Sequence, residues 1–157
     1  MPEPKARAQT ARVVVLRTVR GTPDLVFRCF TEPSKLVEWF GPGEARCVDA
    51  RVDLRVGGRY RFEFRSPEGE RSVVGGVFRE IDAPRRLRFS WIWEVWKTVV
   101  PAETLVTVEL RPLGHATEVK VTHEGFPDAW TREQHAAGWA ATLDCLEPLL
   151  RSKEKTT

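Results

Sequence analysis

Three histidines, three cysteines and a dense set of arginines and carboxylates are the residues of this 157-residue chain best suited to chemistry. His123 and Glu124 are neighbours, as an acid–base pair would be. Adjacent residues on a strand point to opposite faces, so the two cannot converge on one substrate atom without a bulge. The expectation for His123 is a structural place at a strand end. His115 falls near a turn and His135 early in a helix; the spacing of the three is not that of metal ligands, and no metal site is expected. Cys29, Cys47 and Cys145 are odd in number and form no CxxC pair. They read as buried free thiols in a reducing compartment. No GxSxG, phosphate-binding loop or dinucleotide fingerprint occurs, and no cofactor is expected.

The charges argue against a polyanionic partner. Lys+Arg number 25 and Asp+Glu 22, a net charge of +3 spread evenly along the chain, which does not call for nucleic acid. Arg61, Arg65 and Arg88 share outward faces with Asp49, Asp53 and Glu63, the pattern of cross-strand ion pairs on a solvated sheet. Arg79 lies on a strand without clear register; turned inward, it would be a natural anchor for a ligand carboxylate. No apolar run reaches membrane-spanning length. Residues 1–10 lack the pattern of a secretory signal, and the chain is expected to be cytoplasmic.

Aromatic side chains are the other conspicuous resource. From about Ala45 to His123 apolar residues recur every second position, and from Asp128 to Leu150 every three to four. Val48, Ala50, Val52 and Leu54 form one strand face; Tyr60, Phe62 and Phe64 the next; Phe89, Trp91 and Trp93 a third. Residues 73–81 read as a strand with blurred alternation, and Gly75-Gly76 inside it predicts a bulge or a close backbone approach. A first strand precedes two short helices, one opened by Thr22-Pro23-Asp24 and one at about Pro33 to Trp39, where Thr31 is the candidate cap. The last helix begins near Asp128 with capping-box spacing at Thr131 and Gln134. Its stripe of Ala136, Trp139, Ala140, Leu143, Leu146 and Leu150 meets Pro148, which predicts a kink or a break near Asp144 to Glu147.

These elements predict an α+β fold: one domain over residues 11–152 between loose tails at 1–10 and 153–157, with a curved antiparallel sheet of about seven strands wrapped around a long C-terminal helix. One helix covers a strip only ~10 Å wide, less than such a sheet. The space left over is filled by the short helices or remains a cavity on the scale of ~300–1,000 Å³. Trp39, Phe40, Phe62, Phe64, Phe89, Trp91, Trp93, His123 and Trp139 are the expected ligand-binding residues.

The order β–α–α–six strands–long helix resembles the helix-grip, or START-like (SRPBCC), superfamily. Four stretches are similar to the branch named after the C-terminal domain of the Hsp90 ATPase activator: Trp39-Phe40-Gly41-Pro42, residues 56–62, residues 76–87, and residues 122–127 leading to Gly138-Trp139. The resemblance implies a deep cavity between sheet and helix and no shared catalytic set, because one scaffold serves binders, transporters, cyclases and chaperone activators. Binding of a small hydrophobic molecule is therefore the first expectation. A cyclase or hydratase acting on a polyketide-like or aromatic substrate is the alternative, with His123, Tyr60 or Glu80 as its polar groups. The third is an Hsp90-type chaperone partner, implied by the family name alone. The loop carrying Val95, Trp96, Val99 and Val100 is unusually apolar and is a candidate mouth, lid or homodimer contact.

Overall fold

The computed structural model describes residues 12–41, 44–96 and 103–156. Its elements are β1 (Arg12–Arg20), α1 (Pro23–Thr31), α2 (Pro33–Trp39), β2 (Arg46–Val52), β3 (Arg59–Arg65), β4 (Arg71–Asp82), β5 (Arg86–Val95), β6 (Thr104–Leu113), β7 (Ala116–Glu124), α3 (Ala129–Asp144) and α4 (Leu146–Thr156). The strands form one seven-stranded antiparallel sheet in the order β1-β7-β6-β5-β4-β3-β2. β2 to β7 follow one another as a meander, and β1 closes it by pairing with β7. The loose tail expected at residues 1–10 lies outside the described residues, and α4 runs to Thr156, through most of the stretch read as a C-terminal tail.

Alternation decides which side chains go inward. Val106, Val108 and Leu110 on β6, Val119 and Val121 on β7, and Tyr60, Phe62 and Phe64 on β3 are all buried, while Arg59 and Arg65 at the ends of β3 are exposed. Where the sequence alternation fails, the ladder is irregular. β4 shifts register against β5 between Val73 and Val74 and again between Phe78 and Glu80. The second shift sends Phe78 into the core and Arg79 outward, so Arg79 pairs with Glu103 at 3.8 Å and anchors nothing inside. An irregularity in β2 between Cys47 and Asp49 corrects the expected face of that strand: Cys47 is buried, while Val48 and Leu54 are exposed.

The outward arginines form ion pairs, with partners that partly differ from those expected. Arg65 pairs with Glu63, but Arg61 reaches Glu94 at 3.1 Å and Arg88 reaches Glu80 at 3.8 Å.

Helix ends follow local chemistry. The Thr22 hydroxyl accepts from the Leu25 N–H at 3.2 Å and caps α1. The capping-box spacing of Thr131 and Gln134 is not used as one: the Asp128 carboxylate caps α3, accepting from the Thr131 N–H at 2.7 Å, and that bond holds the Asp128 carboxyl below its ordinary pKa. Thr31 does not cap α2 either, because its hydroxyl donates to the Phe27 carbonyl of its own helix. Pro148 breaks the C-terminal helix as expected. α3 stops at Asp144, and α4 restarts at Leu146, which places Pro148 in a first turn where the missing N–H breaks no intrahelical bond. Cys145 sits at that break and is exposed, unlike the buried Cys29 and Cys47.

Gly76 fulfils the expected close approach. A Cβ there would stand inside contact distance of the Ser90 carbonyl oxygen on β5, and neither backbone can retreat without opening the β4–β5 ladder. Gly76→Ala is expected to cost about 1–3 kcal/mol through overpacking, measured by urea unfolding. A change within ~0.3 kcal/mol would show that the two strands yield more readily than this packing implies.

Candidate functional site

β5 and α3 bring the aromatic residues together. Trp91 and Trp93 are two apart on β5 and share its inner face; His135 and Trp139 are four apart on α3 and share a helix face. The faces meet with Trp91 and Trp139 ring centres 5.6 Å apart. Trp91 and Trp93 stand at 88° to one another, and Trp96 stacks on Trp93 at 5.3 Å. Phe40, just after α2, meets the Trp139 ring edge-on at 5.6 Å.

Beneath these rings lies a polar chain whose hydrogen-bond directions follow from the partners. The Trp139 indole N–H donates to His123 Nδ1 at 2.9 Å, which leaves that nitrogen unprotonated. The Thr104 hydroxyl donates to the Trp91 carbonyl at 3.0 Å. Its oxygen, 2.7 Å from His123 Nε2, is therefore free to accept from the Nε2–H. His135 holds the opposite tautomer. Its Nδ1–H donates to the Thr131 carbonyl at 2.8 Å, and its Nε2 accepts from the Trp93 indole at 2.8 Å. The two imidazoles lie 5.1 Å apart. Burial, with a contribution from the neighbouring His135, holds the His123 pKa well below the ordinary imidazole value. His123 is neutral, both its ring nitrogens are engaged, and it is completely enclosed.

Above the chain is a cleft of about 370 Å³. Phe40, Trp91, Trp93, Trp96 and Trp139 form its aromatic wall. Ser66, Glu70 and Ser72 from the β3–β4 hairpin and Gln134 and Thr142 from α3 form a polar rim, with Ala45, Ala137 and Gly138 leaving room between. The Thr142 hydroxyl donates to the Gly41 carbonyl at 2.6 Å and ties α3 to the segment after α2. The Trp91 indole nitrogen is buried and has no hydrogen-bond partner among the described residues, although a buried N–H normally has one.

A seven-stranded curled sheet gripping a long C-terminal helix, with a cleft between them, is now joined by a match of sequence. The family model for Activator of Hsp90 ATPase homolog 1-like protein matches residues 20–151. The chain belongs to that family.

Solved structures agree. A protein from Chromobacterium violaceum is 28% identical, with a TM-score of 0.80 over 88% of this chain and 96% of that one. One from Nitrosomonas europaea is also 28% identical, with a TM-score of 0.78 over 92% and 97%. At 23% identity, the AHSA1 protein from Silicibacter pomeroyi shares the fold, with a TM-score of 0.80 over 91% and 99%. No curated protein matches the chain. None of the described helices is long and apolar enough to cross a membrane, and the described residues hold no cluster of metal-ligating side chains.

Within this member of the family, the nine residues expected at the site fall into four places. Phe40, Trp91, Trp93 and Trp139 line the cleft. Phe62, Phe64 and Phe89 lie in the core behind it, and His123 is sealed beneath Trp91 and Trp139. Trp39 faces a second cavity of about 380 Å³, with Cys47 and Cys145, and its indole donates to the Cys29 carbonyl at 2.9 Å. Burial raises the Cys47 thiol to about 11, which leaves it protonated and unreactive at neutral pH. Neither Tyr60 nor Glu80 reaches the cleft. The Tyr60 hydroxyl is buried against the Ser90 carbonyl, and burial pushes its pKa well up; Glu80 pairs with Arg86 and Arg88.

Sequence reasoning missed the polar rim. Gln134, Gly138 and Thr142 stand four apart, a small and polar stripe beside the apolar one, and that spacing was a readable signal. Ser66, Glu70 and Ser72 reach the cleft only through tertiary packing. Of the apolar loop, Trp96 joins the wall; residues 97–102, including Val99 and Val100, lie outside the described residues, as does any dimer contact through them.

Proposed function

We propose that this protein binds a small hydrophobic molecule between β5 and α3. The observation that carries the proposal is the 370 Å³ cleft walled by four tryptophans and Phe40, at the lower end of the range for small-ligand sites. Every ring in that wall is held by neighbours before a ligand arrives, which lowers the entropic cost of binding. The engaged nitrogens of His123 and His135 make them supports for Trp139 and Trp93, and favour binding over acid–base catalysis for this pair. The dynemicin-locus protein DynU16 shares the fold at 21% identity, with a TM-score of 0.74 over 48% of its own chain; that likeness carries no reaction over.

Titration with a chemically broad panel of apolar and aromatic compounds is expected to give saturable quenching of tryptophan fluorescence with one-site stoichiometry. Ala137→Trp, at an exposed helix position on the cleft, is expected to fold normally and weaken binding at least ~10-fold by filling the space. A panel with no saturable member would overturn the proposal, as would a ligand bound equally by the wild type and Ala137→Trp.

A further inference from the structure

Charge along the cleft is one-sided, although the chain as a whole carries a net +3. Its lining includes no lysine or arginine among the described residues, and Glu70 is its only carboxylate. Neighbouring cations are already engaged: Arg65 and Arg71 both pair with Glu63, at 3.2 and 3.4 Å, and Arg65 also donates to the Gly69 carbonyl. The Glu70 backbone is tied into the hairpin turn by Ser66, which accepts from its N–H at 3.0 Å, while its carboxylate forms no ion pair with any described residue. The other ionisable side chain on the lining, His135, is engaged at both ring nitrogens, by the Thr131 carbonyl and the Trp93 indole.

The wall adds to this bias. Indole has the most electron-rich ring face among the side chains and attracts cations within about 6 Å of its centre, most strongly where water is excluded. Trp91 and Trp93 meet at 88°, and Phe40 and Trp139 at 85°. Two perpendicular pairs make corners in which one group can lie against more than one ring. A free carboxylate at the rim of such a box is the complement of an ammonium group; a ligand carboxylate would meet Glu70 and the ring faces with no cation to offset either.

We infer that the cleft selects organic cations: an apolar body carrying a protonated or quaternary amine, with the ammonium near Glu70 and the tryptophan faces. This rests on the cleft being the ligand site, as proposed above. It replaces an open list of hydrophobic ligands with one charge class, and excludes the fatty acids and aryl carboxylates that an inward Arg79 would have favoured.

The test uses three probes on one naphthylmethyl body, with the full chain: (2-naphthylmethyl)trimethylammonium, its uncharged isostere 2-neopentylnaphthalene, and the smaller 2-naphthaleneacetate, each followed by tryptophan quenching at low and at high salt. The ammonium is expected to bind at least ~10-fold more tightly than the uncharged isostere, with the carboxylate weakest. Added salt should weaken the ammonium and leave the uncharged probe unchanged. Glu70→Gln, an exposed hairpin substitution, is expected to cut the ammonium preference about 5-fold without altering the uncharged probe. Equal binding of ammonium and isostere, or tightest binding of the carboxylate, overturns the inference while leaving the cleft as a hydrophobic site. Binding by none of the three, or by Ala137→Trp as well as the wild type, removes the site and the inference together.

Discussion

Trp139→Ala is expected to destabilise the protein by about 3–5 kcal/mol, the range for truncating a large buried aromatic. Trp139 is 4% exposed, with Phe40, Trp91 and His123 packed around its ring. Its loss opens a cavity at the centre of the helix–sheet contact and leaves His123 Nδ1 as a buried acceptor without a donor. Trp139→Phe separates the two effects. It keeps most of the ring contact and loses the N–H, so about 1–3 kcal/mol is expected for the stranded acceptor. Urea unfolding of the three proteins measures both differences. If Trp139→Ala costs under ~1 kcal/mol, the helix does not depend on this ring for its seat.

The second large effect is a loss of stability in mild acid, and its sign follows from His123. The unfolded chain takes up a proton on this imidazole near the ordinary value of ~6.5. The folded chain resists until far lower pH, because the ring is buried and lies beside His135. Below ~6.5 the unfolded state thus binds the extra proton, and stability falls as pH falls, by up to ~1.4 kcal/mol per pH unit until the folded pKa is reached. Above ~6.5 neither state carries the proton, and this contribution is flat. Unfolding midpoints at pH 7.5, 6.5, 5.5 and 5.0 are expected to show that break. His123→Asn, which places an acceptor near the position of Nδ1, is expected to be less stable at neutral pH and to lose most of the slope between 6.5 and 5. A variant with the wild-type slope would assign the pH dependence to other groups.

The fold was legible in the chain because its two periodicities do not overlap. Alternation in β3 and β7 matches inward and outward positions residue by residue, and β6 follows it except at Thr107, which is buried between Val106 and Val108, since each strand packs one face on a core and turns the other to water. Pro148 announced the break at Cys145 for an equally local reason. Legibility failed where an extra residue shifts a ladder. The irregularity after Cys47 turned Val48 outward, and the one after Phe78 turned Arg79 outward, because a one-residue slip moves every following side chain to the other face.

The site was harder to read than the fold. Trp91, Trp93 and Trp139 were recognisable as inward aromatics, but sequence does not distinguish a ring that fills the core, such as Phe64, from one that borders a cleft. Pairing each indole with its histidine required coordinates, since His123 and Trp139 lie on different elements. Trp39, although it belongs to a resembling motif, lines the other cavity, with its indole held by the Cys29 carbonyl and its ring packed on Phe30.

Indole NMR tests the cleft most directly, because the chain has six tryptophans and each supplies one resolvable N–H signal. On titration with a ligand that quenches fluorescence, the Trp91, Trp93 and Trp96 signals are expected to move together and saturate, with Trp91 shifting furthest if the ligand accepts from its unpartnered N–H. Trp39, hydrogen-bonded to Cys29 and facing the other cavity, is expected to stay in place. Shifts confined to Trp39 or Trp130, with Trp91 and Trp93 unmoved at saturation, would contradict the account.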